Sequence, residues 1–330
     1  MIKSFQKKFA VAILILSLGA MFNHSIGQAI TSYGTGAGTT GTNGSYFGEN
    51  AGRITTGESN TFFGENTGYS NTTGRWNVYL GARAGYLSTG ERNVFVGAQA
   101  GYNNTSGGWN TFVGHIAGTW NTTGMYNVFL GGFSGYQNAS GIANIVIGYQ
   151  AGFNNVNGSK NIFIGTAAGY NELGSNRLYI SNNSTSTPLI YGEFDSNKLV
   201  FNGQVGVATS NFPSTLGSTN LNSYKLFVKG GILAEEIRVR TGWADYVFEE
   251  GYVLKPLSEV ELYIKENGHL PNVPSARVVE EEGLELGNIV KIQQEKIEEL
   301  TLYIIDQEKR FKKEIEDLKA LVVGSVERDR

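Results

Sequence analysis

The chain has 330 residues, 26 Lys plus Arg against 29 Asp plus Glu, a net charge of −3 and no cysteine. Without cysteine there is no disulfide scaffold, no Cys-ligated zinc and no thiol nucleophile, and the weakly acidic balance argues against a nucleic-acid partner. Glycine is the outlier at 45 residues, and the 5 prolines exclude collagen; glycine's usual share is roughly 7%.

Residues 1–29 read as a signal peptide. Lys3, Lys7 and Lys8 precede the apolar run Phe9 to Leu18, which is too short to span a bilayer. Cleavage is expected after Gly27 or Ala29. The later chain holds no apolar stretch long enough for a membrane span, so the expected product is secreted or lies on the surface of a Gram-negative bacterium. Residues 30–43, rich in Gly and Thr, read as a flexible linker. Their G-x-G stretch at Gly34 to Gly38 lacks the preceding strand of a nucleotide loop.

Residues 44–176 are built on a repeat of about seventeen residues. Asn60, Asn77, Asn93, Asn110, Asn127, Asn144 and Asn161 recur at spacings of 17, 16, 17, 17, 17 and 17. Each is followed four residues later by a glycine: Gly64, Gly81, Gly97, Gly114, Gly131, Gly148 and Gly165. A second glycine follows four residues on, and a third stands three residues before the asparagine. Between Asn and the first glycine lie three strand-forming residues, as in Val78-Tyr79-Leu80 and Ile162-Phe163-Ile164. Their middle member is aromatic in all but one repeat, where it is Val146. Its neighbours are mostly aliphatic and take the opposite face. Both faces are therefore apolar. This predicts a mainly β fold whose head is a parallel β-roll with two short strands per coil. One face fills the chain's own core, and another copy of the chain covers the other. The asparagines are expected to form a structural ladder rather than a ligand site.

The run Asn93-Val94-Phe95-Val96-Gly97-Ala98-Gln99-Ala100-Gly101-Tyr102 resembles the head repeats of trimeric autotransporter adhesins. That resemblance implies parallel rolls packed three abreast, although the repeat here is longer and its aromatic middle position is unusual. No C-terminal membrane barrel is read in residues 177–330, so those adhesins' mode of anchoring is not expected to carry over.

Catalysis is not expected of the head. Its acids are Glu49, Glu58, Glu65, Glu91 and Glu172, with no Asp, and only Glu49 and Glu65 fall at matching places in adjacent coils. The three histidines, His24, His115 and His269, are too scattered for a metal site. No cofactor motif is present. Tyr86, Tyr102 and Trp109 are candidates for stacking on surface glycans or host-cell receptors, or for packing at coil corners.

Residues 177–242 read as a connector of short strands: Arg177–Ile180, Pro188–Gly192, Lys198–Phe201 and Lys225–Val228. The phrase Leu178-Tyr179-Ile180 with Pro188-Leu189-Ile190-Tyr191-Gly192 resembles an element of secreted bacterial proteins with tail-fibre domains.

From residue 243 the chain turns acidic, with twenty acids against twelve bases to its end. Pro256 opens an expected helix from Leu257 to Ile264, with Gly268 as its cap. Residues 284–323 predict a coiled coil, with Ile297, Leu300, Ile304, Phe311, Leu318 and Leu321 on the a/d seam. The alternative is an amphipathic helix folded onto its own domain. The segment Trp243-Ala244-Asp245-Tyr246-Val247-Phe248 through Tyr303 looks like the C-terminal domain of the tail-fibre proteins, which is distantly similar to the endosialidase intramolecular chaperone. The resemblance implies that residues 243–283 form an assembly domain. In self-cleaving members a Ser stands where Ala244 is and a Lys where Glu249 is, so assembly carries over and cleavage does not. The whole reads as an exported homotrimeric fibre-like protein. A carbohydrate-binding adhesin is the alternative, and a self-cleaving peptidase is a third reading.

Overall fold

A computed structural model describes residues 30–328, with side chains through residue 323; the expected signal peptide lies outside the described residues, as do the side chains of the 324–330 tail. The chain forms two compact units that meet between Gly203 and Gln204.

The first unit is a β-solenoid. Ten three- or four-residue strands stack in sequence order: β1 (Thr31–Tyr33), β2 (Ser45–Phe47), β3 (Thr61–Phe63), β4 (Val78–Leu80), β5 (Val94–Val96), β6 (Thr111–Val113), β7 (Val128–Leu130), β8 (Ile145–Ile147), β9 (Ile162–Ile164) and β10 (Arg177–Ile180). All neighbours among them pair parallel and in register, so Phe95 meets Phe112 and Phe112 meets Phe129. β11 (Ile190–Glu193) and β12 (Lys198–Phe201) then join antiparallel. That reversal ends the coil stacking. The sheet thus runs past residue 176 into the segment read as a connector.

β1 falls inside 30–43, read from sequence as a linker, and pairs with β2 as the first coil. Gly34 there repeats the glycine that follows each of β2 to β9, with φ 133. Ser32 stands where later coils hold a ring, and Ile30 and Ala37 pack against the end of the core. A coil without the large core residue is the usual way to finish a stack.

The expectation of two strands per coil does not hold; each coil has one. The return limb is broken by left-handed residues, as at Gln99 (φ 57) and Gly101 (φ 60). Such residues turn the backbone instead of extending it. The limb still bonds coil to coil: the Gly101 N–H donates to the Ala117 carbonyl at 2.9 Å.

The two faces of the strand divide cleanly. The middle side chains Tyr46, Phe62, Tyr79, Phe95, Phe112, Phe129, Val146 and Phe163 are buried, and the flanking ones point outward. From Phe62 to Phe129 the rings form a column with centroids 4.7–4.9 Å apart and planes within 10°. That separation is the strand spacing itself. The rings close over the return limb, where Ala84, Ala100 and Ala117 are fully buried. Gly101 must be glycine: a Cβ there would meet the Phe95 ring at 2.5 Å. At Gly97 (φ +132) a Cβ would strike the Gly114 carbonyl oxygen of the next coil at 2.4 Å.

Two rows of buried polar residues flank the rings. In the row from Asn60 to Asn161 each Oδ1 accepts the N–H of the next row member, as Asn110 does for Asn127 at 3.0 Å, and at the end of the row Asn161 accepts from the Arg177 N–H at 2.9 Å. Each Nδ2 donates to a glycine carbonyl, Asn110 to Gly124 at 2.8 Å. Buried polar groups demand such partners, because an unpaired one costs about 1–3 kcal/mol. The second row, eleven residues on in each coil, is Thr55, Asn71, Ser88, Asn104, Asn121, Asn138 and Asn155, all buried. Where this row has Ser88, its coil has Tyr79, whose hydroxyl lies 2.8 Å from Ser88 Oγ. Where the row has Asn, the coil has Phe or Val. The extra hydroxyl fills the space that the shorter side chain leaves. Burial pushes the Tyr79 phenol well above its usual range, opposed by bonds from Ser88 and Asn93.

The second unit holds small sheets, pairing β13 (Val205–Val207) with β16 (Leu226–Val228) and β14 (Thr215–Leu216) with β15 (Thr219–Asn220). A 3-10 turn at Asp245–Phe248 follows, then α1 (Leu257–Asn267), α2 (Ala276–Glu282) and α3 (Leu286–Arg328). Pro256 caps the start of α1, and Gly268 ends it in the left-handed conformation. α2 follows Pro271 and Pro274, with the Ser275 side chain accepting from the Val278 N–H. α3 runs unbroken for 43 residues.

Candidate functional site

The outer strand face of the solenoid is apolar and open to solvent in the single chain. Phe63, Val78, Leu80, Val94, Ile145 and Ile147 are each 37–56% exposed. The strip continues coil after coil because the register never slips. From β2 to β10 it is about 40 Å long at about 4.8 Å per coil. Contiguous apolar patches larger than a few hundred Å² on one chain mark sites of association.

One border of this strip is polar at one end. Arg75 Nε lies 2.8 Å from Glu91, and Arg92 lies 2.5 Å from the same carboxylate. The Arg75 guanidinium holds the Glu91 carboxyl below its usual range. The guanidinium of Arg92 lies over Trp76 at 4.3 Å and over Trp109 at 4.8 Å. Trp109 stacks on Tyr126 at 5.4 Å. Trp109 is therefore held between neighbours of the coils before and after it.

The other aromatic row lies on the return limb. Arg53 sits over Tyr69 at 5.4 Å. Tyr69, Tyr86 and Tyr102 then stack at 5.0 Å steps, with planes within 14°. Tyr136, Phe153 and Tyr170 stack at 4.7 and 5.0 Å. Tyr86 has a ring on each face, which leaves its edge to solvent. Tyr102 is stacked on one face only. The next coil has Thr119 at this place, a break that the seventeen-residue period already shows in the sequence.

The remaining candidates lie apart. Glu65 accepts from Asn66 Nδ2 at 2.7 Å. His115 packs edge-on to Phe133, and His269 edge-on to Tyr263. Among the described residues no three His, Cys, Asp or Glu side chains gather as a metal site. No described helix is long and apolar enough to cross a membrane.

In the second unit the 3-10 turn packs on α3, burying Ala244 and Val247. Tyr246 donates to Glu295, and Tyr252 to Glu299. Lys296 bridges both carboxylates at 2.8 Å, and the Tyr303 hydroxyl donates to the Lys255 carbonyl at 2.6 Å. The bond to Glu295 pushes Tyr246 up to about 12. Burial opposes ionisation of Glu295, but bonds from Lys296, Tyr246 and Asn272 outweigh it and hold the carboxyl below its usual range. Above this clamp lies an apolar groove of about 520 Å³, lined by Val253, Leu257, Leu270, Ile297 and Leu300 among others. Ile297, Leu300, Ile304, Phe311, Leu318 and Leu321 are all 54–65% exposed.

No protein-family model, curated protein or solved structure matches the chain.

Proposed function

We propose that the protein is an exported, homotrimeric structural protein of fibre type, assembled through its C-terminal unit and presenting the solenoid as its head. The carrying observation is the continuous apolar strand face, which a single chain leaves in water. The exposed apolar seam of α3 supports the same reading. The two features divide the labour. The strand face repeats almost the same side chains every coil, so sliding by one coil changes its contacts little. A seam broken by Gln307 and Glu314 does not repeat in that way and sets the register.

The mass of the native particle tests this. Light scattering on the mature chain is expected to give three times the chain mass, and a monomer at micromolar concentration overturns the reading. Intact mass spectrometry addresses cleavage: with Ala244 and Glu249 in place of a Ser and a Lys, the C-terminal unit is expected to remain attached. Sequencing the N-terminus of the exported product is expected to find Gln28 or Ile30 first.

A further inference from the structure

We propose that the groove between α1 and α3 is the seat for α3 of a second copy of the chain, so that α1 and the segment before it belong to the assembly surface. The proposal rests on the trimer reading above and adds a second wall to the seam of α3. Two cavities of the C-terminal unit run together here. One, of about 520 Å³, reaches from Val253 and Leu270 to Ile297 and Leu300. The other, of about 750 Å³, lies between Leu254 and Arg310. Lys255, Leu257, Leu300 and Tyr303 line both, so the two form one groove along α3 from Lys296 to Arg310. At about 1.5 Å per residue it is about 21 Å long, or about four turns of helix.

The groove is open and its walls are fixed. Val253 is 83% exposed, and Leu257, Ile297, Leu300 and Ile304 are 56–61% exposed. The wall facing α3 is tied to it at two places: Tyr252 donates to Glu299, and Tyr303 donates to the Lys255 carbonyl. Lys296 is taken up by Glu295 and Glu299. Toward the far end Asp306 and Arg310 pair with each other at 2.7 Å. The polar groups of the groove are thus engaged within the chain, and what it offers an occupant is apolar surface from two walls at once.

The occupant follows from what the groove runs into. Ile297, Leu300 and Ile304 belong to the groove and also begin the stripe that continues through Phe311, Leu318 and Leu321. From residue 304 to 323 every residue of α3 is exposed. A small molecule or a short peptide would fill the groove and leave that stripe in water. A long helix with an apolar stripe of its own covers both, and the 43-residue α3 of another copy is such a helix. Laid parallel and level, its Ile297, Leu300 and Ile304 enter the groove while its Phe311 to Leu321 meet their counterparts. Seat and occupant are different surfaces, the heterologous pairing from which closed rings are built.

Light scattering on the full mature chain at micromolar concentration tests this. Val253→Glu and Leu257→Glu each put a charge into the groove and leave every residue of α3 in place. Both are expected to weaken association at least tenfold and to shift the particle toward monomer. Leu262→Glu changes a residue that is 56% exposed and lies about 140° round α1 from Leu257. It is expected to assemble as the parent does. Circular dichroism checks that each variant is folded; if Leu257→Glu is not, Val253→Glu decides, since that side chain stands mostly in water in the single chain. Groove variants that stay trimeric overturn the proposal and leave the trimer standing, because the seam of α3 then assembles unaided. An equal loss in Leu262→Glu also overturns it. A parent of two chains that Val253→Glu dissociates overturns the trimer and leaves the seat standing, and a monomeric parent overturns both.

Discussion

The two units solve the problem of burial in opposite ways. In the solenoid each coil covers the next, so a short strand gains a buried ring, a buried alanine and a paired asparagine from its neighbours alone. In the C-terminal unit most of the large apolar side chains of α1 and α3 remain exposed, and Ala244 and Val247 are the buried hydrophobic residues among those described there. A stack of repeats is stabilised by nearest neighbours along one axis. A single long helix has no such neighbour, and isolated helices depend on packing of their apolar face. The solenoid therefore builds its own core along one axis and leaves only its outer strand face in water, whereas the C-terminal unit leaves most of its apolar surface uncovered.

The sharpest way to break this contrast is to remove α3. Deleting residues 284–330 is expected to leave the strand signal in circular dichroism while the particle falls from trimer to monomer or aggregate in light scattering. A cleanly trimeric truncation would place assembly in the solenoid instead. Next in size is a hole in the ring column. Phe112→Ala removes a fully buried ring stacked on both sides and is expected to cost about 3–5 kcal/mol in denaturant unfolding.

A smaller effect tests the fit between the ring column and the second polar row. Ser88→Asn places a longer side chain against the Tyr79 hydroxyl and is expected to cost about 1–3 kcal/mol. Adding Tyr79→Phe removes that hydroxyl and restores the Phe/Asn pairing of the neighbouring coils. The double variant is expected to recover most of the loss, a coupling of about 1–2 kcal/mol. Strict additivity would show that the two rows are independent.

The smallest effect is on the clamp of the C-terminal unit. Glu295 has a depressed carboxyl pKa. Its contribution is present above the unfolded carboxylate value of about 4.3 and is lost as pH falls through the lower folded value. Tyr246 is expected to separate from α3 only as pH falls below the ordinary carboxylate range, read as a change in tyrosine environment by near-ultraviolet circular dichroism. The solenoid core, made of rings and amides, is expected to keep its strand signal over the same range.

Much of the solenoid was legible because its chemistry recurs. The asparagine and glycine positions mark the period, and the three residues between them mark the strand. The start of α1 at Pro256 and its end at Gly268 were legible for a local reason, since both residues restrict the backbone on their own. The break in the tyrosine row at Thr119 also lies in plain sequence, as a threonine in a column of aromatics. Its meaning depends on the rings being stacked face to face, which no single coil reveals.

By itself, the sequence determined the coil length, the place of the strand and the asparagine row from Asn60 to Asn161, because a repeated side chain at fixed spacing must stack on its own copies. Only the tertiary structure decided which apolar face turns inward. The return limb there offers buried alanines and a glycine where a Cβ would meet the Phe95 ring, so the rings close over it and the aliphatic residues face out. It also decided that each coil has one strand, because left-handed residues turn the limb that would have formed the second. And it carried the sheet on to β12, where antiparallel pairing leaves no room for another coil.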